Sequence, residues 1–202
     1  MKKILFAAFP VLAAALFLAA PVADPLPLGS SIPNPELKMK DISGNEVSLK
    51  EAQKKNGLLV MFSCNTCPYV IKNQSRTYEA CKYALGNDIG VAILNSNEGK
   101  RDEDDSFEDM KAYAKEQGYN WHYLVDKNSA QADAFGANRT PECFLFDASG
   151  KLVYHGAIDD NPGDAAAVSR KHLLAAIDEM KAGKDVSVKQ SRSVGCTIKR
   201  LN

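Results

Sequence analysis

Cysteine is scarce in this chain, with five in 202 residues. That is too few for a disulfide-stapled scaffold at this length. Charge of one excess sign is missing as well, because 25 basic and 25 acidic side chains cancel. A balanced surface gives no electrostatic case for nucleic acid or an anionic membrane surface. There is no glycine-rich nucleotide loop and no phosphate cradle, so no organic cofactor is expected. Internal repeats and a second domain are also lacking. What is present, 45% apolar and 25% charged residues, suits one globular domain large enough to bury a core without staples.

The N-terminus reads as a targeting segment. Lys2 and Lys3 form a short positive region, and Ile4 to Ala23 carries no polar side chain. Small residues at Ala19, Ala20 and Ala23 offer cleavage points for a signal peptide. The apolar run is also long enough for an uncleaved anchor, the one case in which membrane association is expected. No cysteine precedes Cys64, which excludes lipid attachment at a cysteine near the cleavage point. The rest of the chain is therefore expected to be exported, to the periplasm or outside the cell, where thiols persist as disulfides.

Residues 1–23 are read as signal peptide, 24–35 as an extended linker rich in proline, 36–184 as the domain and 185–202 as a polar tail. Within the domain, Leu37–Asp41 and Val47–Leu49 flank a Ser-Gly-Asn turn, as in a hairpin. Gly57–Phe62 and Ile89–Leu94 are continuous apolar runs of strand length, the pattern of strands covered on both faces. After Pro68 the spacing of Val70, Ile71, Gln74, Tyr78, Cys81 and Leu85 predicts a helix ending at Gly86. Ser106 can cap a helix that stops at Gly118. Trp121–Val125 predicts a strand, Ala130–Phe135 a short helix, and Cys143–Phe146 with Leu152–His155 a hairpin. A last helix is expected from Asp164, with Leu173, Ala176, Ile177 and Met180 on one face, ending at Gly183. This order predicts an α/β fold with helices on both faces of a mixed sheet.

One segment carries chemistry. Phe62-Ser-Cys64-Asn-Thr-Cys67-Pro68-Tyr-Val70 holds a C-x-x-C where a buried strand passes into a helix. Free N–H groups and the dipole at a helix N-terminus favour thiolate over thiol. Proline is tolerated at the first helical position because its missing N–H is not needed there. Pro68 then occupies that position, Cys67 is the capping residue nearest the dipole, and Cys67 is the expected nucleophile.

Landmarks along the whole mature chain resemble the thioredoxin superfamily, in particular a peroxiredoxin-like group within the redoxin (alkyl hydroperoxide reductase and thiol-specific antioxidant) family. They are the opening segment Gly29–Leu49, the Cys64–Val70 segment, Asn95-Ser-Asn97 and Asp105–Tyr113. Arg139-Thr-Pro-Glu142, Ile158–Pro162 and Val194-Gly-Cys-Thr-Ile198 complete the set. The resemblance implies a thioredoxin-like fold and places the first active-site cysteine of thiol reductases, or the peroxidatic cysteine of peroxiredoxins, on Cys67. The reductases' second cysteine falls on Val70. The Thr or Ser and the Pro that peroxiredoxins carry upstream are Cys64 and Val60 here.

On that footing Cys64 is the first choice to resolve a mixed disulfide on Cys67, since exchange needs a nearby second thiol, and Cys196 is the rival resolver. Pro141 matches the cis-proline of the loop facing the active-site cysteine, and Thr140 would pair through its backbone with an incoming extended peptide. Arg139 and Glu142 are offered as groups that tune Cys67. The run Lys100–Asp105 is read as a solvated loop, and Cys81 and Cys143 as buried small apolar residues.

The expected activity is thiol–disulfide oxidoreduction, with protein or small-molecule thiols and disulfides, or peroxides, as partners. The alternatives are a weak thiol-dependent peroxidase, and a copper-binding or non-catalytic module. Copper would need both motif cysteines plus a histidine, for which His122 and His155 are available.

Overall fold

The computed structural model describes residues 24–201; the signal-peptide assignment to 1–23 lies outside them. In chain order the elements are β1 (Met39–Asp41), β2 (Glu46–Val47), α1 (Leu49–Ala52), β3 (Leu58–Ser63), α2 (Pro68–Gly86) and β4 (Gly90–Asn95). Then come α3 (Phe107–Glu116), β5 (His122–Val125), α4 (Ala130–Phe135), β6 (Arg139–Thr140) and β7 (Glu142–Phe146). The chain closes with β8 (Leu152–Gly156), α5 (His172–Lys181) and β9 (Cys196–Thr197). Among the described residues no helix is long and apolar enough to cross a membrane.

Seven strands form one mixed sheet in the order β2-β1-β5-β4-β3-β7-β8. The pairs β3–β4 and β4–β5 are parallel, while β3–β7, β7–β8 and β1–β5 are antiparallel. β3 and β4 are buried at every position, which explains why they read as unbroken apolar runs rather than as alternation.

Successive side chains still separate to the two faces. Leu59 and Met61 pack with Cys81, Met110 and Ile177 beneath α2, α3 and α5. Leu58, Val60 and Phe62 pack with Leu49, Ala132 and Phe135 beneath α1 and α4. This is the thioredoxin-like architecture, a mixed sheet with helices on both faces. Cys81 and Cys143 are wholly buried in the first of these layers.

Several elements differ from expectation. The second arm of the first hairpin is shorter, because Ser48 caps α1 in a reciprocal capping box with Glu51 and so turns Leu49 into a helix. Within α2, Ile71 is exposed while Asn73, Arg76 and Thr77 are buried. Asn73 and Arg76 face inward because they have partners. Arg76 meets Asp159 at 2.6 Å and the Asn161 carbonyl at 2.8 Å, and Asn73 donates to the Pro162 carbonyl at 3.0 Å. Asp164 caps only a single 3-10 turn, and α5 begins at His172.

The segment 24–35, expected to be an extended linker, is broken by a turn at Pro27–Ser30 and lies against the domain. Leu26 donates to the Phe135 carbonyl at 2.9 Å and Gly29 to that of Leu152 at 2.8 Å. The last segment is likewise bound to the domain. Gln190 bridges to His155, β9 pairs with β6, and Ile198 is buried in the core. Its polar composition conceals that its backbone bonds are made to the domain.

Candidate active site

β3 ends at Ser63, and α2 starts at Pro68 with Cys67 as its capping residue in extended conformation. The Cys67 carbonyl accepts the first bond of the helix, from Ile71 N–H at 3.0 Å. Cys67 is thus the capping residue, as predicted, although its sulfur makes no capping hydrogen bond to the first turn. Cys64, Cys67 and Val70 form a small buried cluster, against which Tyr69, Tyr113 and Cys196 pack.

Cys196, 129 positions further along the chain than Cys67, joins the two motif cysteines here. Cys67 Sγ lies 2.7 Å from Cys196 Sγ and 3.3 Å from the Thr140 carbonyl oxygen. Cys64 Sγ lies 3.5 Å from Thr140 Oγ1. Cys64 packs beside Cys67 in the same buried cluster, and the influence of its thiol is the main reason the Cys67 pKa is held well below the ordinary thiol value. Burial opposes that shift, while Cys196 and the Val70 N–H add to it. The reciprocal influence of Cys67, followed by burial and the nearby Asp105 carboxylate, pushes Cys64 far up. Burial, then the bond and charge of Cys67, raises Cys196. The cluster thus favours one negative charge, on Cys67, with the other two thiols protonated around it.

The Thr140–Pro141 peptide bond is cis, and Thr140 is buried. Glu142, at the start of β7, accepts from the Asn138 and Arg139 N–H groups at 2.9 and 3.1 Å, and its other oxygen meets His155 Nε2 at 2.7 Å. Arg139 reaches the Gly195 carbonyl at 3.2 Å. Both residues thus hold the loop and the tail in place around Cys67.

The two histidines stand apart from the sulfur cluster in their bonding, His155 with Glu142 and His122 with Asp41 at 3.6 Å. Among the described residues no group of three or more His, Cys, Asp or Glu side chains is placed to hold a metal ion.

Asp105 corrects the reading of 100–105 as a solvated loop, because it is completely buried. Its Oδ1 accepts from Asn65 N–H at 2.9 Å and Asn95 Nδ2 at 2.7 Å, and its Oδ2 from Asn97 Nδ2 at 2.8 Å. Tyr123 closes the network by donating to Asn65 Oδ1 at 2.8 Å. A buried carboxylate persists when its acceptor sites are filled, and here they fix the loop between the two motif cysteines. The pairing of Asn95 with Asn97 around a serine was the one trace of this network in the sequence.

A cavity of about 210 Å³ opens beside the sulfurs, lined by Cys64, Cys67, Asn97, Lys100, Cys196 and Lys199 among others.

A match to the Redoxin family spans residues 27–171. No curated protein matches the sequence. Solved structures do. A hypothetical protein of Sinorhizobium meliloti 1021 is 34% identical, with 88% of this chain and 97% of that one covered and a TM-score of 0.80. An uncharacterized conserved protein of Geobacillus kaustophilus is 33% identical over 87% of this chain and 93% of its own, also at 0.80. The thioredoxin domain of a thiol-disulfide oxidoreductase from Bacteroides vulgatus, 21% identical over 64% and 88% with a TM-score of 0.53, shares the fold. With the family matched over most of its length, this chain belongs to the Redoxin family.

Proposed function

We propose that this protein is an exported thiol–disulfide oxidoreductase in which Cys67 is the nucleophile and Cys196 closes the exchange. The observation that carries this reading is the 2.7 Å separation of the two sulfurs, at a site where the Cys67 thiolate is favoured. A small side-chain rotation brings such a pair to the ~2.05 Å of a disulfide.

In the reduced state Cys67 is the thiolate and attacks one sulfur of a substrate disulfide. The Cys67–S–S–R bond forms, the substrate S–S bond breaks, and one thiolate leaves to take a proton from water. Negative charge has then left Cys67, and with it one of the influences that kept Cys196 protonated. Cys196 gives its proton to solvent and attacks Cys67 Sγ, which forms the Cys67–Cys196 disulfide and expels the second thiol. The protein has lost two electrons and the substrate has gained them. A dithiol reductant reverses the change.

Cys64 is buried, as Cys67 is, but its thiol pKa is pushed up where that of Cys67 is lowered, which favours its protonated form. In this reading it serves as the hydrogen-bond donor to the Cys67 thiolate, and Cys196 takes the resolving role for which sequence position put Cys64 first. Export is supported by the N-terminal sequence and by chemistry that is most useful where disulfides persist.

The test is reduction of 2-hydroxyethyl disulfide by dithiothreitol, catalysed by the protein lacking residues 1–23. Cys67→Ser is expected to abolish turnover, and Cys196→Ser to trap an adduct on Cys67. A wild-type protein whose Cys67 reacts no faster than a free thiol below pH ~8.5 refutes the reading.

A further inference from the structure

The loop that an extended peptide would use is already occupied. β9 pairs antiparallel with β6, with Thr140 opposite Cys196 and Arg139 opposite Thr197. This edge immediately precedes Pro141, and it is where strand addition would bring a polypeptide's backbone. The occupation is tight. A Cβ on Gly195 would stand 2.0 Å from the Thr140 carbonyl oxygen, and one on Gly99 would stand 2.7 Å from that of Arg200. Both glycines are therefore required by close backbone approach.

Beyond the pair, Lys199 donates through its backbone to Asn97 Oδ1 at 2.9 Å, and Arg200 meets Asp133 at 2.7 Å and the Ala137 carbonyl at 2.8 Å. Ile198 is buried against the α1/α4 face. What stays open to Cys67 is the cavity of about 210 Å³, with both Cys67 and Cys196 in its wall.

We propose that β9 acts as a built-in occupant of the peptide edge, so that the oxidoreductase takes low-molecular-weight disulfides and excludes extended polypeptides. The proposal rests on the activity proposed above and names its substrate class. A small disulfide reaches Cys67 through the cavity and is reduced to two thiols, while Cys67 and Cys196 are oxidised to one disulfide. A polypeptide must first displace β9, so it reacts only in proportion to the fraction of molecules in which the strand is released. The strand also carries the resolving thiol, so the same segment that limits access completes the exchange.

The experiment compares oxidation rates of the reduced protein by 2-hydroxyethyl disulfide and by a disulfide-linked dimer of an extended peptide of about ten residues. Wild type is expected to favour the small disulfide by at least about 100-fold. Gly195→Val, checked for folding by circular dichroism, is expected to narrow that preference to within about tenfold by forcing β9 off its edge. Cys196→Ser leaves the strand backbone in place, and is expected to keep the preference while accumulating the small-disulfide adduct. Equal rates for both probes with wild type, or an unchanged preference in a folded Gly195→Val, would overturn the proposal while leaving the oxidoreductase reading intact. Inertness of Cys67 to both probes overturns both.

Discussion

Replacing Cys64 by alanine removes the largest influence that favours the Cys67 thiolate. A hydrogen bond to a charged group is worth about 1.5–3 kcal/mol, and one pKa unit corresponds to about 1.36 kcal/mol. The Cys67 pKa should therefore rise by about 1–2 units. Rate does not follow thiolate fraction alone, since a more basic thiolate is also more nucleophilic, with a Brønsted slope of about 0.4–0.5. Below both pKa values the alanine variant should react with 2-hydroxyethyl disulfide about 3–10-fold more slowly than its parent. Above both values it should react about 3–10-fold faster, so the two pH profiles cross. Cys64→Ser keeps a donor and should stay near the parent.

The assay is stopped-flow oxidation in a Cys196→Ser background, where the adduct persists, with Cys67 occupancy read by mass spectrometry. Coincident profiles for the alanine variant and its parent, or a lower pKa in the alanine variant, would refute the assignment of Cys64 as donor.

Other consequences follow from the buried polar groups. Asp159→Ala leaves the Arg76 guanidinium without its ionic partner in a buried setting, and should cost about 3–5 kcal/mol in urea unfolding. Asp105→Asn replaces an acceptor of three hydrogen bonds from Asn65, Asn95 and Asn97 with a group that must turn a donor toward one of them. A loss of about 1–3 kcal/mol is expected, together with slower oxidation of Cys67 because the 64–67 loop loosens; unchanged rates would remove Asp105 from the site.

The folded-state pKa of Cys67 is depressed, so in the window between it and the unfolded thiol value of about 8.5 the unfolded chain binds the extra proton. Stability of the reduced protein should rise with pH across that window, level off above it, and be lost as pH falls through the folded value. Cys67→Ala should remove this slope; equal slopes in thermal melts would contradict the shift.

The central pieces of the site were legible because they are local. A strand-length apolar run, two cysteines and a proline at one junction determine that Cys67 caps α2, with no long-range information needed. The cis bond before Pro141 followed from the resemblance. The parts that were not legible depend on partners far apart in sequence. Arg76 lies on the inward face of α2 because Asp159, 83 positions away, and the Asn161 carbonyl meet it. Asp105 stands in an acidic run that resembles a solvated loop, and only the convergence of Asn65, Asn95 and Asn97 makes its burial tolerable.

The tail misleads for a related reason. Its side chains are mostly polar, while what fixes it is backbone pairing and the absence of a Cβ at Gly195. A tail that reads as polar thus brings to the site the thiol that sequence position ranked second, behind Cys64, as its resolver.

The most direct test of the account is to map the disulfide formed when the fully reduced protein takes up one equivalent of 2-hydroxyethyl disulfide, by proteolysis under acid and mass spectrometry. The account predicts a Cys67–Cys196 linkage with Cys64 still free. A Cys64–Cys67 linkage in its place would contradict the assignment of Cys196 as the residue that completes the exchange.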